Sequence, residues 1–586
     1  MTTKLRLLAL LLSFVLVLSV FVGCNEKNGD NKDTASASAS ETVSETELNE
    51  KTEKATETEE ETDEPTETET QDPRLEYSRS REEMEAMLTL TNEDFAKTEE
   101  LIRAFETLGV VSEDLDAVDA SYKTAEDSFY YLQTQIGIAS IIYYLDMSDE
   151  EASSRYLDAY DLYGDVYNVY IDCCRSVYNS SPIRDEVFAD WTEDDIKELF
   201  AYDPEMQELR EKNEEILVEI NELTGEDAYD RTAVLYAEMV TNYNKLAKLC
   251  GYDNYYLYAA SDIYGRDYDI DQVKTFASLV QDYYVPNVDT LNDLWYGEYS
   301  SLSKFHNNLM YGFLMDPFDQ ISRNYLNEYI NSLEGSMKEG MSHMFDNRNV
   351  IFTNSKNSHQ SAFQTYLHDL ETPFCLFGSE GQSTTTIVHE MGHYYAALYN
   401  ENSPSLDLAE TQSQGNEMML MDYLSGAMPE PVFKAYKDYT MYLYTVQSIV
   451  CVIVDEFERE VYSLESVEGF TSEDFDAIMD KVCENYGGID YVTENITPVK
   501  SYWRSVATNS PVYYITYAVT MTEALNIYAE LEKDRATGRE IYRQLCEDVT
   551  EEETFLGAIG KAGLGSPFEE ATFVSIMAMM LPEVKE

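Results

Sequence analysis

From residue 74 to the end of the sequence, apolar residues recur three and four positions apart in long stretches. The clearest stretches are Glu82–Leu108, Ala125–Leu145, Ser153–Tyr178 and Pro204–Leu223. This spacing puts apolar side chains on one face of a helix, and the acidic residues near most of the starts favour helix N-termini. Strand-like runs are few, and the best are Asn349–Thr353 and Pro373–Phe377. The sequence therefore predicts a mainly α protein with a small β-sheet.

The beginning of the chain has the pattern of an export signal. Two basic residues precede an almost unbroken apolar run of 16 residues, Leu7–Val22, which is followed by Gly23 and Cys24. A membrane-spanning helix needs about 20 residues, so a run of this length is typical of a signal peptide. The Gly-Cys ending resembles the bacterial lipobox, in which the cysteine carries lipid. We predict a lipoprotein signal peptide over 1–23 and lipidation of Cys24. An ordinary secretory signal followed by a chance cysteine is the alternative.

The segment that follows has a composition that cannot form a core. Residues 25–73 contain 17 acidic and 4 basic side chains, many Ser and Thr, and no aromatic residue. So little apolar surface cannot offset the entropy of ordering the chain, and the charges repel one another. We therefore predict a disordered acidic stalk over 24–73. Further on, Asp203-Pro204 is typical of a helix start, which indicates an N-terminal helical lobe over 74–203 and a larger domain over 204–586.

The charge balance of the whole chain narrows the choice of partners. The 586 residues include 112 acidic and 40 basic side chains, a net charge of −72. Because nucleic-acid binding needs a basic surface that neutralises phosphates, we expect no nucleic-acid partner. None of the eight cysteines stands in a CxxC pair, which argues against a thiolate zinc site or a disulfide scaffold. There are only six histidines, so any regular histidine spacing is informative.

One histidine pair has the spacing of a metal site. His389-Glu390-Met391-Gly392-His393 is an HExxH motif within a helical stretch. Histidines four apart lie one turn apart on the same face of a helix, so their imidazole nitrogens can hold one ion. Glu390 projects about 100° away around the helix, where it can act as a general base on water without binding the metal. Two histidines packed in a helical core are the alternative.

An acidic stretch follows the motif. Asp407, Glu410 and Glu417 are three and seven residues apart, on one face of a second predicted helix. When HExxH supplies two histidines, a carboxylate from another helix is the usual third zinc ligand. We predict that Glu410 is this ligand, and that Glu417 and Asp407 accept hydrogen bonds from the imidazole N–H groups. For Glu417 and Asp407, a solvated acidic face is the alternative.

These residues resemble the zinc metallopeptidases of the oligoendopeptidase F and thimet oligopeptidase family, in particular the oligoendopeptidase F branch. The family pattern is HExGH, then a glutamate ligand, then another glutamate. Glu390, Gly392, Glu410 and Glu417 match it together with both histidines. The resemblance extends from about residue 80 to the end. It implies a large helical ellipsoid with a deep substrate channel, one Zn²⁺ ion per chain, and short oligopeptides as substrates.

Gly392 has a physical meaning of its own. A glycine inside a helix costs about 1 kcal/mol relative to alanine, so its presence points to a close approach by another helix. We infer that the helix carrying Glu410 passes Gly392.

The resemblance also extends to two segments beside the motif. Ser510-Pro511 looks like a helix start, and Tyr514 and Tyr517 follow it. The resemblance implies that these tyrosines donate hydrogen bonds to the oxyanion of the reaction, with Tyr517 the better match; core packing is the alternative. Pro373–Phe377 resembles the family's strand before the metal helix, whose exposed edge would bind extended peptide. A small buried strand is the alternative.

One family feature is missing from the chain. Relatives usually have a histidine shortly before the last of these tyrosines, but no histidine stands between Trp503 and Pro511. The sequence therefore leaves open whether Arg504, Asn509 or a tyrosine takes the place of this transition-state donor, or whether none does.

Together these patterns predict a zinc-dependent endopeptidase that hydrolyses short oligopeptides. Its catalytic domain would be 204–586, its expected state a monomer, and its location the bacterial cell surface, anchored in the membrane by the lipid on Cys24. The alternative from another class is a lipoprotein that binds peptides without cutting them. The missing histidine favours this alternative, whereas the intact HExGH argues against it, since a binding protein needs no general base.

Overall fold

The computed structural model describes residues 77–581 apart from 190, 192–195, 197–198, 201–203, 224–227, 316, 318–319, 401–404, 497–502, 505–510 and 551–552. Helices form most of this part of the chain, and a three-stranded sheet accompanies them, so the predicted mainly α fold class is confirmed. The predicted signal peptide, Cys24 and the acidic stalk lie outside the described residues. No helix that the structure describes has both the length and the apolar character needed to cross a membrane.

The first helices begin at polar caps and follow the apolar spacing of the sequence. They are α1 (Arg81–Met87), α2 (Asn92–Gly109), α3 (Leu115–Leu145), α4 (Glu150–Ser180) and the short α5 (Arg184–Val187). Ser80 caps α1 reciprocally with the glutamate three residues later, while Asp114 and Asp149 accept hydrogen bonds from the first N–H groups of α3 and α4. The stretch Glu82–Leu108 is two helices and not one, because the backbone is extended at Leu88.

A second series of helices leads to the sheet. It consists of α6 (Pro204–Glu222), α7 (Ala228–Leu249), α8 (Tyr255–Tyr258), α9 (Ile270–Leu279), α10 (Val288–Ser301), α11 (Lys304–Met315), α12 (Gln320–Ser332) and α13 (Gly335–Asp346). A π-helical turn, Ala259–Ile263, follows α8 directly. Tyr264 and Arg266 come just after this turn. Their side chains donate hydrogen bonds to the backbone carbonyl oxygens of Pro511 and Val512, in the C-terminal part of the chain.

The sheet has the strand order β1-β3-β2. Its strands are β1 (Val350–Phe352), β2 (Ala362–Leu367) and β3 (Thr372–Phe377). Cys375 of β3 lies opposite Val350 in a parallel pair and opposite Gln364 in an antiparallel pair. Both strands predicted from the sequence are present, and β2 joins them. Because β3 lies between the other two strands, the prediction that Pro373–Phe377 offers an exposed edge to peptide is wrong. The alternative of a small buried strand holds, since these five residues are buried.

The C-terminal part of the chain carries the candidate site. It consists of α14 (Thr384–Tyr399), α15 (Leu406–Ala427), α16 (Glu430–Ser463), α17 (Ser472–Cys483), α18 (Ile489–Asn495), α19 (Tyr514–Lys533), α20 (Arg535–Glu547), α21 (Phe555–Ala562) and α22 (Glu570–Met580). The HExxH motif is on α14 and the acidic stretch is on α15, as the spacing predicts. The helix expected to start at Ser510-Pro511 begins at Tyr514, because the positive φ of Val512 is incompatible with an α-helix. Ser510 itself lies outside the described residues.

The described core has one large cluster and several smaller ones. The large cluster runs from Met206 to Leu581 and encloses α15 and α19, which are buried on nearly every face. Helices α1 to α5 form smaller clusters, one of which includes both Ile142 of α3 and Phe363 of β2. The division between 74–203 and 204–586 stays a prediction, because 201–203 are outside the described residues. The seven cysteines from Cys173 onward are free thiols.

Candidate metal centre

Helix α14 presents the two histidines of the motif from one face. The side chain of Ser383 caps the helix by accepting a hydrogen bond from the backbone N–H of Thr386 at 3.0 Å. His389 and His393 lie one turn apart, with their ring centroids 5.0 Å apart and their planes at 80°. Glu390 comes from the same turn, and only 6% of it is exposed.

Helix α15 crosses α14 at Gly392. A Cβ atom at this position would lie 2.7 Å from the Cα atom of Ser413 and 2.8 Å from the carbonyl oxygen of Gln412. Both distances are shorter than a side chain tolerates, so the approach of the two helices requires glycine at 392. The inference that the helix carrying Glu410 passes Gly392 is confirmed.

The close approach brings the carboxylate of Glu410 to the two imidazoles. Ligand atoms of His389, His393 and Glu410 all lie within 4.8 Å of one another. Nε2 of His389 is 3.5 Å from Oε2 of Glu410. Two imidazole nitrogens and a carboxylate oxygen are a donor set that Zn²⁺ takes in catalytic sites, with a further position left for water. The structure thus brings together the three residues predicted as metal ligands.

The two other acidic residues of α15 have different surroundings. Oε1 of Glu417 is 2.9 Å from Nδ1 of His389, so a proton on Nδ1 leaves Nε2 to face Glu410. Glu417 thus lies where it can accept a hydrogen bond from the imidazole N–H group, as the sequence predicts. Asp407 is fully buried beside Arg266 and the hydroxyl group of Thr516, and neither of its oxygens has a hydrogen bond to a histidine among the described residues. Its predicted contact with an imidazole is not seen here.

Burial and neighbouring carboxylates set the protonation of the site. Burial lowers the pKa of His393 to about 4, so its imidazole is neutral at pH 7, the form that binds a metal. At His389, burial acts to lower the pKa, but the contacts with Glu410 and Glu417 raise it well above its usual value. Burial raises the pKa of Glu390 to about 7. A carboxylate in this range can both accept and return a proton near neutral pH.

A tyrosine group at the start of α19 faces the same site. The hydroxyl group of Tyr513 donates to Oε1 of Glu410 at 3.3 Å. Tyr517 packs edge to face on Tyr513 with ring centroids 4.9 Å apart, and Tyr514 lies next to Tyr517 at 6.2 Å. Burial and the charges of Glu410 and Glu390 raise the pKa of Tyr517 well above its usual value, as expected for a phenol beside these carboxylates.

Tyr513 is a member of this group that the sequence did not predict. The only sequence signal for it is its place in the tyrosine-rich run after Pro511. Its contact with Glu410 depends on the positive φ of Val512, which no sequence pattern predicts.

The residues present fit a metal and the water it would activate. Oε2 of Glu390 is buried and has no hydrogen-bond partner among the described residues. Because buried polar atoms are normally hydrogen-bonded, such a carboxylate oxygen indicates a position for a ligand or a water molecule. The neutral imidazole of His393 and the oriented Nε2 of His389 are then available to the ion, with Glu410 as the anionic ligand.

The candidates for the missing family histidine are only partly within the described residues. Arg504 lies near Tyr229, whose pKa its charge acts to lower. Asn509 belongs to 505–510, outside the described part of the chain.

Comparison with known families agrees with this geometry. The model of peptidase family M3 matches residues 318–545, a stretch that contains the histidines, Glu410 and the tyrosines described above. Among curated proteins, no match is found. The match supports a peptidase function for the chain and, more narrowly, the function of a metallopeptidase.

Solved structures of similar fold cover most of the molecule. A Bacillus anthracis strain Ames protein described as an oligoendopeptidase F is 17% identical with a TM-score of 0.61, over 86% of this chain and 96% of that one. PZ peptidase A, solved with an inhibitor, is 17% identical with a TM-score of 0.62, over 86% and 98% of the two chains. At this identity the likeness shows the fold. The family match over 318–545 and the fold shared with oligoendopeptidase F structures together confirm the resemblance seen in the sequence.

Proposed function

We propose that the chain is a zinc-dependent endopeptidase that hydrolyses peptide bonds in short oligopeptides. The observation that carries the proposal is that ligand atoms of His389, His393 and Glu410 lie within 4.8 Å of one another. The buried carboxylate of Glu390 lies on the same helix turn. These three residues would hold one Zn²⁺ ion. When bound, the ion acts as a Lewis acid on the scissile carbonyl and makes water a stronger acid.

Glu390 would move the proton in this reaction. Its free Oε2 accepts the proton of the attacking water and later donates it to the leaving amine. Burial raises the pKa of Glu390 to about 7 in the metal-free site, and the positive charge of a bound ion would act in the opposite direction and favour the carboxylate that accepts a proton. Proton transfer by a group so placed contributes roughly 10²–10⁴-fold to a rate.

The tyrosines would stabilise the oxyanion that develops on the scissile carbonyl. Tyr517 and Tyr514 are the donors that the sequence resemblance implies, and Tyr517 stands beside both Glu410 and Glu390. A hydroxyl group aimed at a developing negative charge in a dry site lowers the barrier more than it would in water. Tyr513 hydrogen-bonds Glu410, which suits a role in orienting the third ligand and not in binding substrate.

The substrate class follows from the family resemblance. If the helices enclose a deep channel, peptides of roughly 5–20 residues reach the site, whereas folded proteins do not.

The proposal is tested by zinc quantification together with hydrolysis of a mixed library of quenched fluorescent peptides. We expect about one zinc per chain and cleavage within the peptides. Native ubiquitin should stay intact under the same conditions, and its rapid digestion would contradict an enclosed channel. Stoichiometric zinc without hydrolysis of any peptide would instead favour the peptide-binding lipoprotein.

We further propose that lipid on Cys24 anchors the enzyme at the cell surface and that 24–73 acts as a flexible spacer. The support is the apolar run that ends in Gly-Cys and the acidic composition after it. Cys24→Ala should move the protein from the membrane fraction to the soluble or unprocessed form. Unchanged, detergent-dependent membrane association of this variant would rule out the anchor.

A further inference from the structure

Val512 has a backbone conformation that its side chain disfavours. Its φ is +66°, and the residue is fully buried directly before the tyrosine group of α19. A β-branched residue in the left-handed region is a genuine outlier, since its Cβ atom crowds the backbone. Such a conformation persists only where the surrounding structure holds it in place.

Three side chains hold the two peptide groups around Val512. Glu458 of α16 accepts a hydrogen bond from the Val512 N–H at 2.8 Å. Nη2 of Arg266 donates to the Val512 carbonyl oxygen at 2.6 Å, and the Tyr264 hydroxyl donates to the Pro511 carbonyl oxygen at 2.8 Å. None of these side chains is near Val512 in the sequence, so tertiary structure imposes the conformation.

The same contacts determine where the tyrosine group lies. Tyr513 follows Val512 directly, and its hydroxyl group reaches Glu410 at 3.3 Å. The Arg266 guanidinium lies over the Tyr264 ring at 4.6 Å, and that ring packs against Tyr513 at 5.8 Å. Nη2 of Arg266 is also 3.1 Å from Oγ1 of Thr516, which ties the first turn of α19 to the same guanidinium.

We propose that Arg266 and Glu458 are positioning residues of the peptidase. They hold Val512 in the left-handed conformation and thereby keep Tyr513 on the third metal ligand and Tyr517 beside Glu390. Neither residue touches the reacting atoms. This inference rests on the proposed function, because the tyrosines matter only if the site is catalytic.

A purely structural role is the competing explanation for Arg266. The arginine is 9% exposed, and its charge also stabilises the buried carboxylate of Asp407. Loss of Arg266 would then reduce stability and activity through the fold as a whole, whatever residue stands at 512. The two explanations are separated by glycine at 512, because glycine adopts positive φ without strain and no longer needs to be held.

The first experiment combines substitutions at 266 and 512 in the full chain. Arg266→Met should lower kcat by about 10–100-fold with KM and zinc content nearly unchanged, because the tyrosines act on the transition state. Adding Val512→Gly to Arg266→Met should restore kcat at least fivefold, whereas Val512→Gly alone should change it by less than threefold. If Val512→Gly gives the same change in kcat with and without Arg266, the positioning role is refuted.

Two further comparisons guard against a variant that fails to fold. Glu458→Gln keeps an oxygen that accepts from the Val512 N–H and should retain most of the activity, whereas Glu458→Met should lose about as much kcat as Arg266→Met. Tyr264→Phe removes one hydroxyl group and should lower kcat by a smaller factor. Arg459→Met is the matched control, since Arg459 is a second mostly buried arginine next in sequence to Glu458 but pairs with Asp455. It should reduce the melting temperature without changing kcat.

Hydrogen exchange at the Val512 amide tests the positioning independently of peptidase activity. The wild-type amide should be protected, and Glu458→Met and Arg266→Met should each raise its exchange rate by at least tenfold under native conditions. Lost protection in a protein whose wild type cuts no peptide would leave the contacts established and the proposed function refuted. Unchanged exchange in both variants would refute the positioning role even if the wild type is an active peptidase.

Discussion

Glu523 is a buried acid that takes no part in the candidate site. It lies in the middle of α19 and is fully buried. Nδ2 of Asn526 donates to its Oε2 at 3.3 Å, while its Oε1 has no hydrogen-bond partner among the described residues. Burial raises the pKa of Glu523 to about 8. The folded protein therefore keeps this proton at neutral pH, whereas the unfolded chain releases it near the ordinary glutamate pKa of 4.5.

This difference makes the stability of the protein depend on pH. The folded state binds one proton more than the unfolded state between the two pKa values, so the free energy of unfolding falls as pH rises from about 4.5 to about 8. The loss attributable to Glu523 is on the order of 3–5 kcal/mol. Glu523→Gln removes this titration and keeps the acceptor for Asn526. We predict that the variant is markedly more stable than wild type at pH 8 and close to it at pH 5.

Urea unfolding at pH 5 and pH 8 measures this effect. The exposed Glu465 supplies the control, because Glu465→Gln makes the same chemical change on the surface and should not reproduce the gain in stability at pH 8. An equal slope for wild type and Glu523→Gln would mean that Glu523 is ionised in the folded protein.

At the scale of residues, the sequence could predict the metal ligands but not the tyrosine that contacts one of them. His389, His393 and Glu410 follow from helical spacing, because an HExxH motif fixes its own geometry. Tyr513 reaches Glu410 only because Val512 has a positive φ. That conformation is imposed by side chains from distant parts of the chain, which local sequence rules do not connect.

Helices α14 and α15 depend on one glycine for their closeness. Gly392→Ala would place a Cβ atom 2.7 Å from the Ser413 Cα atom, so the helices must separate and Glu410 must move away from the histidines. Helix propensity alone would make alanine more stable than glycine by about 1 kcal/mol. Overpacking of this kind costs roughly 1–3 kcal/mol of stability, which outweighs that gain. We predict that Gly392→Ala binds zinc at least tenfold more weakly, measured by competition with a chelator.

Gly426 of α15 is the matched control for this substitution. A Cβ atom at Gly426 would meet no other element of the described structure within 4 Å, so Gly426→Ala should leave zinc affinity unchanged. Wild-type zinc affinity in Gly392→Ala would show that the helices adjust without disturbing the ligands.

At the scale of elements, the sequence predicts the ends of several helices to within a few residues. It does not predict the order of the strands in the sheet. Ala125–Leu145 and Pro204–Leu223 end close to where α3 and α6 end, because their apolar spacing stops there. The central place of β3 depends on its pairing with β1 and β2, and that pairing brings together three segments of the chain. The start of α19 was misplaced for a similar reason, since contacts made by Arg266 and Glu458 delay the helix to Tyr514.

For the whole molecule, the excess of acidic residues should influence which peptides are cut fastest. Of the net charge of −72, the signal peptide contributes +2 and the stalk −13, so the rest of the chain carries −61. This charge should attract cationic peptides and raise their rate of encounter, and salt screens the attraction over about 8–10 Å. We predict a higher kcat/KM for lysine-rich peptides than for matched glutamate-rich peptides at low salt. The ratio of the two values should shrink toward one at about 0.5 M NaCl. A ratio that does not change with salt would place the acidic charge away from the path of the substrate.

The most direct test of the central claim, that α14 and α15 form a zinc peptidase centre, is zinc content and turnover measured side by side in wild type, Glu390→Gln and Glu410→Ala. We predict about one zinc per chain in wild type and in Glu390→Gln, with turnover lower by roughly 10²–10⁴ in Glu390→Gln because only proton transfer is lost. Glu410→Ala should lose zinc and activity together, since the ion would be left with two ligands from the protein. Wild-type turnover in Glu390→Gln, or full zinc content in Glu410→Ala, would contradict the assignment of the centre.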